Sequence, residues 1–430
     1  MQYISTKHKS NQTGFREAVL RGMAPDNGLF FPVEIPKLSE AFFDSLKKKK
    51  IHEIAYEVIA PFVGQDIEDD VLKQLLKEAL DFKIPLVQVE EDIWSLELFH
   101  GPTMAFKDVG ARVTARLMAL FTQGKKQTIL VATSGDTGSA VANGFLGIEG
   151  VNVVVLYPKG MVSEIQEKQF ATLGKNISCL EINGTFDACQ ALVKQAFADT
   201  ELRKIMNLSS ANSISIARFL PQMVYYFHAF ARLKNTRKQV VFSVPSGNFG
   251  NLTAGLFAKK MGLPIDKFIA ASNMNDVVPE YLKTGIFAPR PSVKTISNAM
   301  DVGNPSNFVR ILELYDKNRE KISMDIVGCK ITDEETLEAI SELYKRKGYL
   351  LDPHGAVGYE ALRRYYEKHD CTGVFLETAH PAKFIDVVQK SVKSEIEIPA
   401  GLKAALDKEK LSIPMENDYN EFKNFLLKAL

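Results

Sequence analysis

Short apolar runs alternate with helical patterns along most of this chain, and this alternation restricts its possible folds more than any other feature. Three such runs come first, and each leads through a turn into a helical pattern: 128–132, 151–156 and 177–182. A repeated order of strand, turn and helix is typical of parallel sheets covered by crossover helices. The sequence therefore predicts an α/β protein.

A second series of apolar runs lies beyond the polar stretch 233–238, at 240–244, 268–271 and 373–377. Two series predict two α/β domains with parallel-rich sheets. We expect a smaller domain over 96–235 and a larger one over 236–430.

The first 95 residues have a different pattern. A turn-rich stretch around 25–28 is followed by two segments, 51–63 and 69–80, that are apolar at positions i, i+3 and i+4. This spacing indicates amphipathic helices. We therefore expect 1–95 to be a mainly helical amino-terminal extension.

Composition favours small-molecule chemistry in the cytoplasm. The 430 residues carry a formal charge of +1, which gives no strong field for nucleic acid or anionic lipid. The four cysteines form no C-x-x-C pair and have no metal-ligand spacing, and the first residues lack an apolar signal core. No apolar run reaches the ~18 residues of a membrane span. We expect no metal, no disulfide, no membrane contact and no nucleic-acid partner.

Two glycine-rich turns each follow a predicted strand and precede a predicted helix. In Pro-Ser-Gly-Asn-Phe-Gly-Asn at 245–251, backbone amides would point at an anion near the positive helix end, and a phosphate would fit there. The alternative is a structural turn without a ligand. The spacing matches neither a Walker loop nor G-x-G-x-x-G, which disfavours a nucleotide.

The other turn, Thr-Ser-Gly-Asp-Thr-Gly at 133–138, carries hydroxyls and amides suited to a carboxylate. Asp136 would accept a hydrogen bond from a cofactor hydroxyl or cap the helix. The alternative for the whole turn is a plain helix N-cap, which Ser, Thr and Asp favour on local grounds.

Lys107 follows the apolar residues Pro102, Ala105 and Phe106. A lysine in such surroundings has a lowered pKa, and its free amine could exchange Schiff bases. The alternative is a solvated surface lysine. A Schiff-base lysine, a phosphate turn and a carboxylate turn together indicate a pyridoxal-phosphate site.

Three motifs, in this order, resemble the threonine synthase family of fold-type II pyridoxal-phosphate enzymes. They are His-Gly-Pro-Thr-Met-Ala-Phe-Lys-Asp at 100–108, the turn 133–138, and Ser-Gly-Asn-Phe-Gly-Asn at 246–251. Segments at 3–7, 26–32, 157–160, 166–169 and 352–358 also resemble the bacterial and fungal group with an extended amino-terminal domain. The resemblance covers nearly the whole chain and implies a tryptophan synthase β-like fold.

The resemblance implies roles at matching positions. Lys107 would hold pyridoxal 5'-phosphate as a Schiff base and move protons between substrate carbons. The cofactor phosphate would lie against Gly247, Asn248, Phe249, Gly250 and Asn251, while Thr378 would meet the pyridine nitrogen and Asp136 the cofactor ring.

For the substrate, the resemblance implies Ser134, Gly135 and Thr137 at the carboxylate, with Asn248 turned toward the substrate. Asn212, Ser213 and Arg218 would hold the substrate phosphate, which a guanidinium fork suits. On local grounds alone, Arg218 could be a surface arginine in an ion pair. His354 and His380 lie in family-like segments but receive no catalytic role.

The implied reaction converts O-phospho-L-homoserine and water to L-threonine and phosphate, in a monomer or homodimer. Two alternatives stay open. A catabolic phospholyase of the same family would instead release a 2-oxo acid and ammonia, and a non-enzymatic phosphate-binding protein would use Lys107 for no chemistry.

Overall fold

The computed structural model describes residues 1–9, 12–234 and 237–429, which form two compact units. The described residues of the first unit are Met1 and those of Phe31–Phe106 and Phe219–Glu397. Those of the second unit belong to Gln2–Phe30, Lys107–Arg218 and Ile398–Leu430. Each unit therefore combines segments that are distant in the chain.

In the described chain, the strands are β1 Gln2–Ser5, β2 Thr13–Gly14, β3 Phe30–Pro32, β4 Leu86–Glu90, β5 Ile93–Glu97, β6 Gln127–Ala132, β7 Val151–Pro158, β8 Ile177–Asn183, β9 Leu208–Ser210, β10 Gln239–Pro245, β11 Lys267–Ser272, β12 Ile326–Lys330, β13 Cys371–Glu377 and β14 Ile413–Glu416.

The α-helices are α1 Phe15–Arg21, α2 Glu40–Ser45, α3 Ile51–Val63, α4 Asp69–Ala79, α5 Lys107–Thr122, α6 Asp136–Phe145, α7 Glu164–Ala171, α8 Phe186–Ala198, α9 Leu202–Ile205, α10 Ile216–Phe219, α11 Met223–Phe230, α12 Gly250–Lys260, α13 Val277–Thr284, α14 Phe308–Leu314, α15 Arg319–Asp325, α16 Asp333–Lys347, α17 Pro353–Tyr366, α18 Ile385–Val392, α19 Ala400–Leu406 and α20 Tyr419–Ala429. Short 3₁₀ turns include Leu220–Gln222, Asn298–Met300 and Pro381–Phe384.

The first unit contains a sheet with the strand order β12-β11-β10-β13-β5-β4. Its strands are parallel except for β4, which runs antiparallel to β5. The central strands β10 and β13 are mostly apolar, and all of their residues except Gln239 are buried. Continuous apolar strands of this kind need helices on both faces, as crossover connections provide.

The second unit contains a parallel sheet with the order β14-β8-β7-β6-β9. Side chains of β6, β7 and β8 pack with α8 and α20 in one apolar cluster, which includes Leu130, Val154, Leu180, Leu192 and Phe422. The predicted α/β class, with parallel-rich sheets, is confirmed.

The predicted strands and helices agree with the structure in most places. The runs at 128–132, 151–156 and 177–182 lie in β6, β7 and β8, and each is followed by a helix. The helical segments predicted at 51–63 and 69–80 are α3 and α4. The three consecutive domains, 1–95, 96–235 and 236–430, stay a prediction about domain organisation.

No helix among residues 1–9, 12–234 and 237–429 is both long and apolar enough to cross a membrane.

Candidate active site

The predicted substrate residues of the second unit follow two neighbouring parallel strands. The turn 133–138 comes directly after β6, and the segment 211–218 comes directly after β9. Since β6 and β9 pair in parallel, both segments leave the sheet at its carboxyl edge. Ligand sites of open α/β sheets lie outside this edge.

Thr133 and Gly135 determine the shape of the turn 133–138. Thr133 Oγ1 accepts hydrogen bonds from Gly135 N at 3.0 Å and from Gly138 N at 2.8 Å. Gly135 has φ of +139°, a conformation that side-chain-bearing residues rarely adopt. A Cβ at Gly135 would also lie 2.6 Å from the side chain of Gln166. The turn therefore requires glycine here.

Asp136 is the first residue of α6, not its cap, because the N-cap position is Gly135. The Asp136 carboxylate is buried and accepts a hydrogen bond from Gln166 Nε2 at 2.9 Å. Ser134 and Thr137, on either side, are partly buried. Gln166 was not predicted as a site residue. The one available signal was its place in the family-like segment 166–169.

Arg218 is buried, with only 3 % of its surface exposed, so the alternative of a surface arginine is wrong. Its Nη1 donates to Ala211 O at 2.5 Å, at the start of the segment that contains Asn212 and Ser213. Within the described chain, the buried Oδ1 of Asn212 has no hydrogen-bond partner. A buried guanidinium fits an anionic oxygen-rich ligand, whereas the unpaired Asn212 Oδ1 is an acceptor and needs a donor.

Lys107 is the first residue of α5 and is partly buried, so it is not a fully solvated surface lysine. One turn further along α5, the helix packs closely on the Arg218 segment. A Cβ at Gly110 would lie 2.7 Å from Arg218 O and 3.2 Å from Arg218 Nε. The second unit therefore brings the helix that begins at Lys107 against the arginine predicted to bind the substrate phosphate.

Residues 104–106, which directly precede Lys107, pair with residues 378–380, which follow β13. Both segments belong to the first unit. Phe106 N donates to Thr378 O at 2.8 Å, Ala105 bridges to Ala379, and His380 N donates to Met104 O at 3.0 Å. Met104 has φ of +55°, which turns the chain into this pairing. These bonds fix the backbone of the residue that directly precedes Lys107.

The predicted phosphate loop leads from β10 to α12. Phe249 closes the loop with φ of +61°, and its ring is buried. Asn251 stabilises the loop, because its Nδ2 donates a hydrogen bond to Pro245 O at 2.9 Å. The side chain of Asn248 accepts from Ser306 N, which ties the loop to the segment before α14.

The donors of this loop fit a bound phosphate. Phe249, Gly250 and Asn251 are buried, and their amides donate to no other residue in the described part of the chain. They lie at the amino-terminal end of α12, where the helix dipole favours negative charge. Buried amides without protein acceptors at such a position are the donor set that a phosphate needs.

Thr378 and the phosphate loop share one edge of the first unit's sheet. β13 ends at Glu377, β10 ends at Pro245, and the two strands pair in parallel. Thr378 therefore leaves the sheet at the same edge as Gly247 and the residues that follow it. Burial, and secondarily the charge of Asp352, raises the pKa of Glu377 well above its ordinary value. The carboxyl with this raised pKa belongs to the residue directly before Thr378.

His380 has a structural function in this arrangement. Its Nδ1 accepts from Ala382 N at 3.1 Å and caps the 3₁₀ turn Pro381–Phe384. Burial lowers the pKa of His380, so the ring is neutral and can serve as this acceptor.

Family models match this protein along nearly its whole length. Residues 82–374 match the family model for pyridoxal-phosphate dependent enzymes, residues 2–80 match that for the threonine synthase N terminus, and residues 355–426 match that for the threonine synthase C-terminal region. The threonine synthase of Haemophilus influenzae is 46% identical over 430 residues, which cover 100% of both chains.

Two solved structures have the same fold over their full length. The crystal structure of threonine synthase from Escherichia coli has a TM-score of 0.94 at 43% identity, with 100% of each chain covered. A pyridoxal-phosphate-bound threonine synthase from Brucella melitensis has a TM-score of 0.92 at 36% identity, with 99% of this chain and 98% of that one covered.

Proposed function

Because the chain belongs to the threonine synthase family of pyridoxal-phosphate-dependent enzymes, we propose that it converts O-phospho-L-homoserine and water to L-threonine and phosphate. The observation that carries this proposal is the 46% identity to a curated relative over 100% of both chains. The protein is a carbon–oxygen lyase that acts on phosphates, and its cofactor is pyridoxal 5'-phosphate.

Lys107 would bind the cofactor aldehyde, and Gly247, Asn248, Phe249, Gly250 and Asn251 would bind its phosphate. The buried amides at the start of α12 support the second assignment. Thr378 would form a hydrogen bond with the pyridine nitrogen. Asp136 would accept a hydrogen bond from the hydroxyl group of the cofactor ring.

The substrate carboxylate would lie against Ser134, Gly135 and Thr137, whose backbone follows β6. Asn212, Ser213 and Arg218 would bind the substrate phosphate. The burial of Arg218 supports this role, because a desolvated guanidinium forms stronger charge-assisted hydrogen bonds than an exposed one does. Asn248 would also face the substrate.

When bound, pyridoxal phosphate supplies an electron sink for bonds that break at the substrate α-carbon. Lys107 Nζ would take a proton from the substrate Cα and then one from Cβ, and it would return protons to Cγ and to Cα after the phosphate has left. Arg218 would hold the phosphate while its bond to Cγ breaks. Water would then add its hydroxyl group to Cβ. One amine can serve several carbons because the substrate is clamped at both ends.

We further propose a cytoplasmic location, with small molecules as its reaction partners and neither nucleic acid nor a membrane among them, and a monomeric or homodimeric state. The near-neutral charge of the sequence supports the absence of polyanionic partners.

Product analysis tests the reaction. Purified protein is incubated with O-phospho-L-homoserine, and threonine, 2-oxobutyrate and phosphate are measured over time, with Lys107→Ala and unphosphorylated L-homoserine as controls. We expect one threonine for each phosphate and neither product in the controls. Phosphate matched by 2-oxobutyrate, with little threonine, would instead identify a phospholyase.

A further inference from the structure

A pair of buried side chains, Asp352 and His354, lies between the two segments of the first unit that are assigned to the cofactor. Asp352 is the N-cap of α17, and it is wholly buried. Its Oδ1 accepts from His354 N at 2.8 Å and lies 2.6 Å from His354 Nδ1, while its Oδ2 accepts from Ala379 N at 3.3 Å. Ala379 directly follows Thr378, so Asp352 is hydrogen-bonded to the Thr378 segment.

The other nitrogen of His354 reaches the phosphate-loop side. Ala299 N donates to His354 Nε2 at 3.1 Å. A backbone amide can only donate, so Nε2 must carry no proton and Nδ1 must donate to Asp352. A single neutral tautomer of His354 therefore satisfies both bonds, and no other protonation state does.

Ala299 belongs to the 3₁₀ turn Asn298–Met300, and this turn lies directly against Gly247. A Cβ at Gly247 would lie 2.7 Å from Met300 Cα and 3.0 Å from Ala299 O. Because backbone is packed on backbone here, a shift of the turn by a few tenths of an ångström must displace the loop. The position of Gly247 consequently depends on what holds Ala299.

The neighbouring Glu377 keeps Asp352 in place. Glu377 Oε1 accepts from Asp352 N at 2.6 Å, and a Cβ at Gly355 would lie 1.5 Å from Glu377 Oε2. The start of α17 is therefore in close contact with Glu377. His354 is also in ring contact with Phe384, at a centroid distance of 4.8 Å.

We infer that His354, oriented by Asp352, is a positioning residue that couples the Thr378 segment to the phosphate loop at Gly247, and so fixes the distance between the two attachment points of the cofactor. The inference rests on the proposed function, since that proposal assigns these two segments to opposite ends of pyridoxal phosphate. His354 touches neither cofactor nor substrate in this scheme.

The test compares side chains that differ in reach. In His354→Gln, an amide oxygen can reach the position of Nε2 and accept from Ala299 N. In His354→Asn, the side chain can still meet Asp352 but is too short to reach Ala299. Phe384→Leu is the matched control, because it alters packing against the same ring without removing a hydrogen bond.

The readout is the dissociation constant of pyridoxal phosphate, measured by cofactor release from diluted holoenzyme and by fluorescence on reconstitution. We expect His354→Asn to raise this constant at least about fivefold, as loss of a buried hydrogen bond would, with His354→Gln within about threefold and Phe384→Leu within about twofold of the wild type. Unfolding midpoints identify variants that bind poorly only because they are unstable.

Equal constants for the Asn and Gln variants, or an effect of Phe384→Leu as large as that of His354→Asn, would overturn the inference. Retention of wild-type affinity by His354→Asn would do the same. Cofactor binding does not depend on which product forms. A wild-type protein that binds cofactor but makes no threonine would therefore contradict the proposed function and leave this test of His354 intact.

Discussion

Replacement of Gly135 by alanine should distort the turn that is proposed to meet the substrate carboxylate. The residue has φ of +139° and ψ of −94°, far from the regions open to L-residues. The new Cβ would lie 2.6 Å from Gln166, whose side chain is buried and bonded to Asp136. Gln166 cannot move away without giving up that bond, so both backbone and neighbour resist the change.

Two costs add in this variant. A non-glycine residue in a sparsely populated backbone region costs about 1 to 3 kcal/mol. Overpacking against a buried neighbour costs about 1 to 3 kcal/mol more. We expect Gly135→Ala to lower the free energy of unfolding by about 2 to 6 kcal/mol. Displacement of the turn should also reduce kcat/KM for O-phosphohomoserine about 100-fold, as misplaced substrate contacts do.

Gly147→Ala is the control, because Gly147 has φ of +75° but nothing lies within 4 Å of its would-be Cβ. It should cost about 1 to 2 kcal/mol from backbone conformation alone and leave kcat/KM unchanged. Urea unfolding and steady-state kinetics measure both effects.

In a Gln166→Ala background, the further cost of Gly135→Ala in free energy of unfolding should fall to the part that comes from backbone conformation. The reasoning is refuted if Gly135→Ala costs no more than Gly147→Ala, or if its cost does not depend on Gln166.

Four further predictions concern catalysis, cofactor binding and pH. Lys107→Ala should abolish turnover and the cofactor's protein-bound visible absorbance with no change in circular dichroism; full activity would exclude this lysine. Gly250→Val should prevent stable cofactor binding, because a branched side chain would occupy space that the phosphate needs; normal cofactor content after dialysis would show another use for the loop. Arg218→Ala should lower kcat/KM at least about tenfold while cofactor content stays constant, since charge-assisted hydrogen bonds contribute about 1.5 to 3 kcal/mol each; unchanged kinetics would remove it from the site. Burial lowers the pKa of His228 from 6.5 to about 4, so this residue takes up a proton on unfolding between these values; the difference in free energy of unfolding between the wild type and His228→Gln, measured by urea titration, should therefore shift against the wild type by up to about 3 kcal/mol from pH 6.5 to pH 4.

Local sequence patterns predicted the elements that carry the candidate site, but not how the sheets are ordered. β6, β7 and β8 are recognisable because each is a short apolar run followed by a turn and a helical pattern. β5 pairs with β13, far along the chain, and β14 pairs with β8. Such pairings depend on long-range packing, which leaves no periodic signal in either strand.

The predicted site residues and the supporting residues differ in what constrains them. The predicted roles restrict the residue type at Lys107, Arg218 and the glycines of the turns. A Schiff base needs an amine, the proposed phosphate contact suits a guanidinium, and the turns need a residue without a side chain. Sequence patterns can therefore predict such residues. Gln166 and His354 are restricted by location instead: each bridges two segments that the fold brings together, and other polar side chains could bridge other segments equally well. A buried polar residue of this kind acquires its role only after the sheets have formed. Its substitution should consequently alter the geometry of the site more than its chemistry.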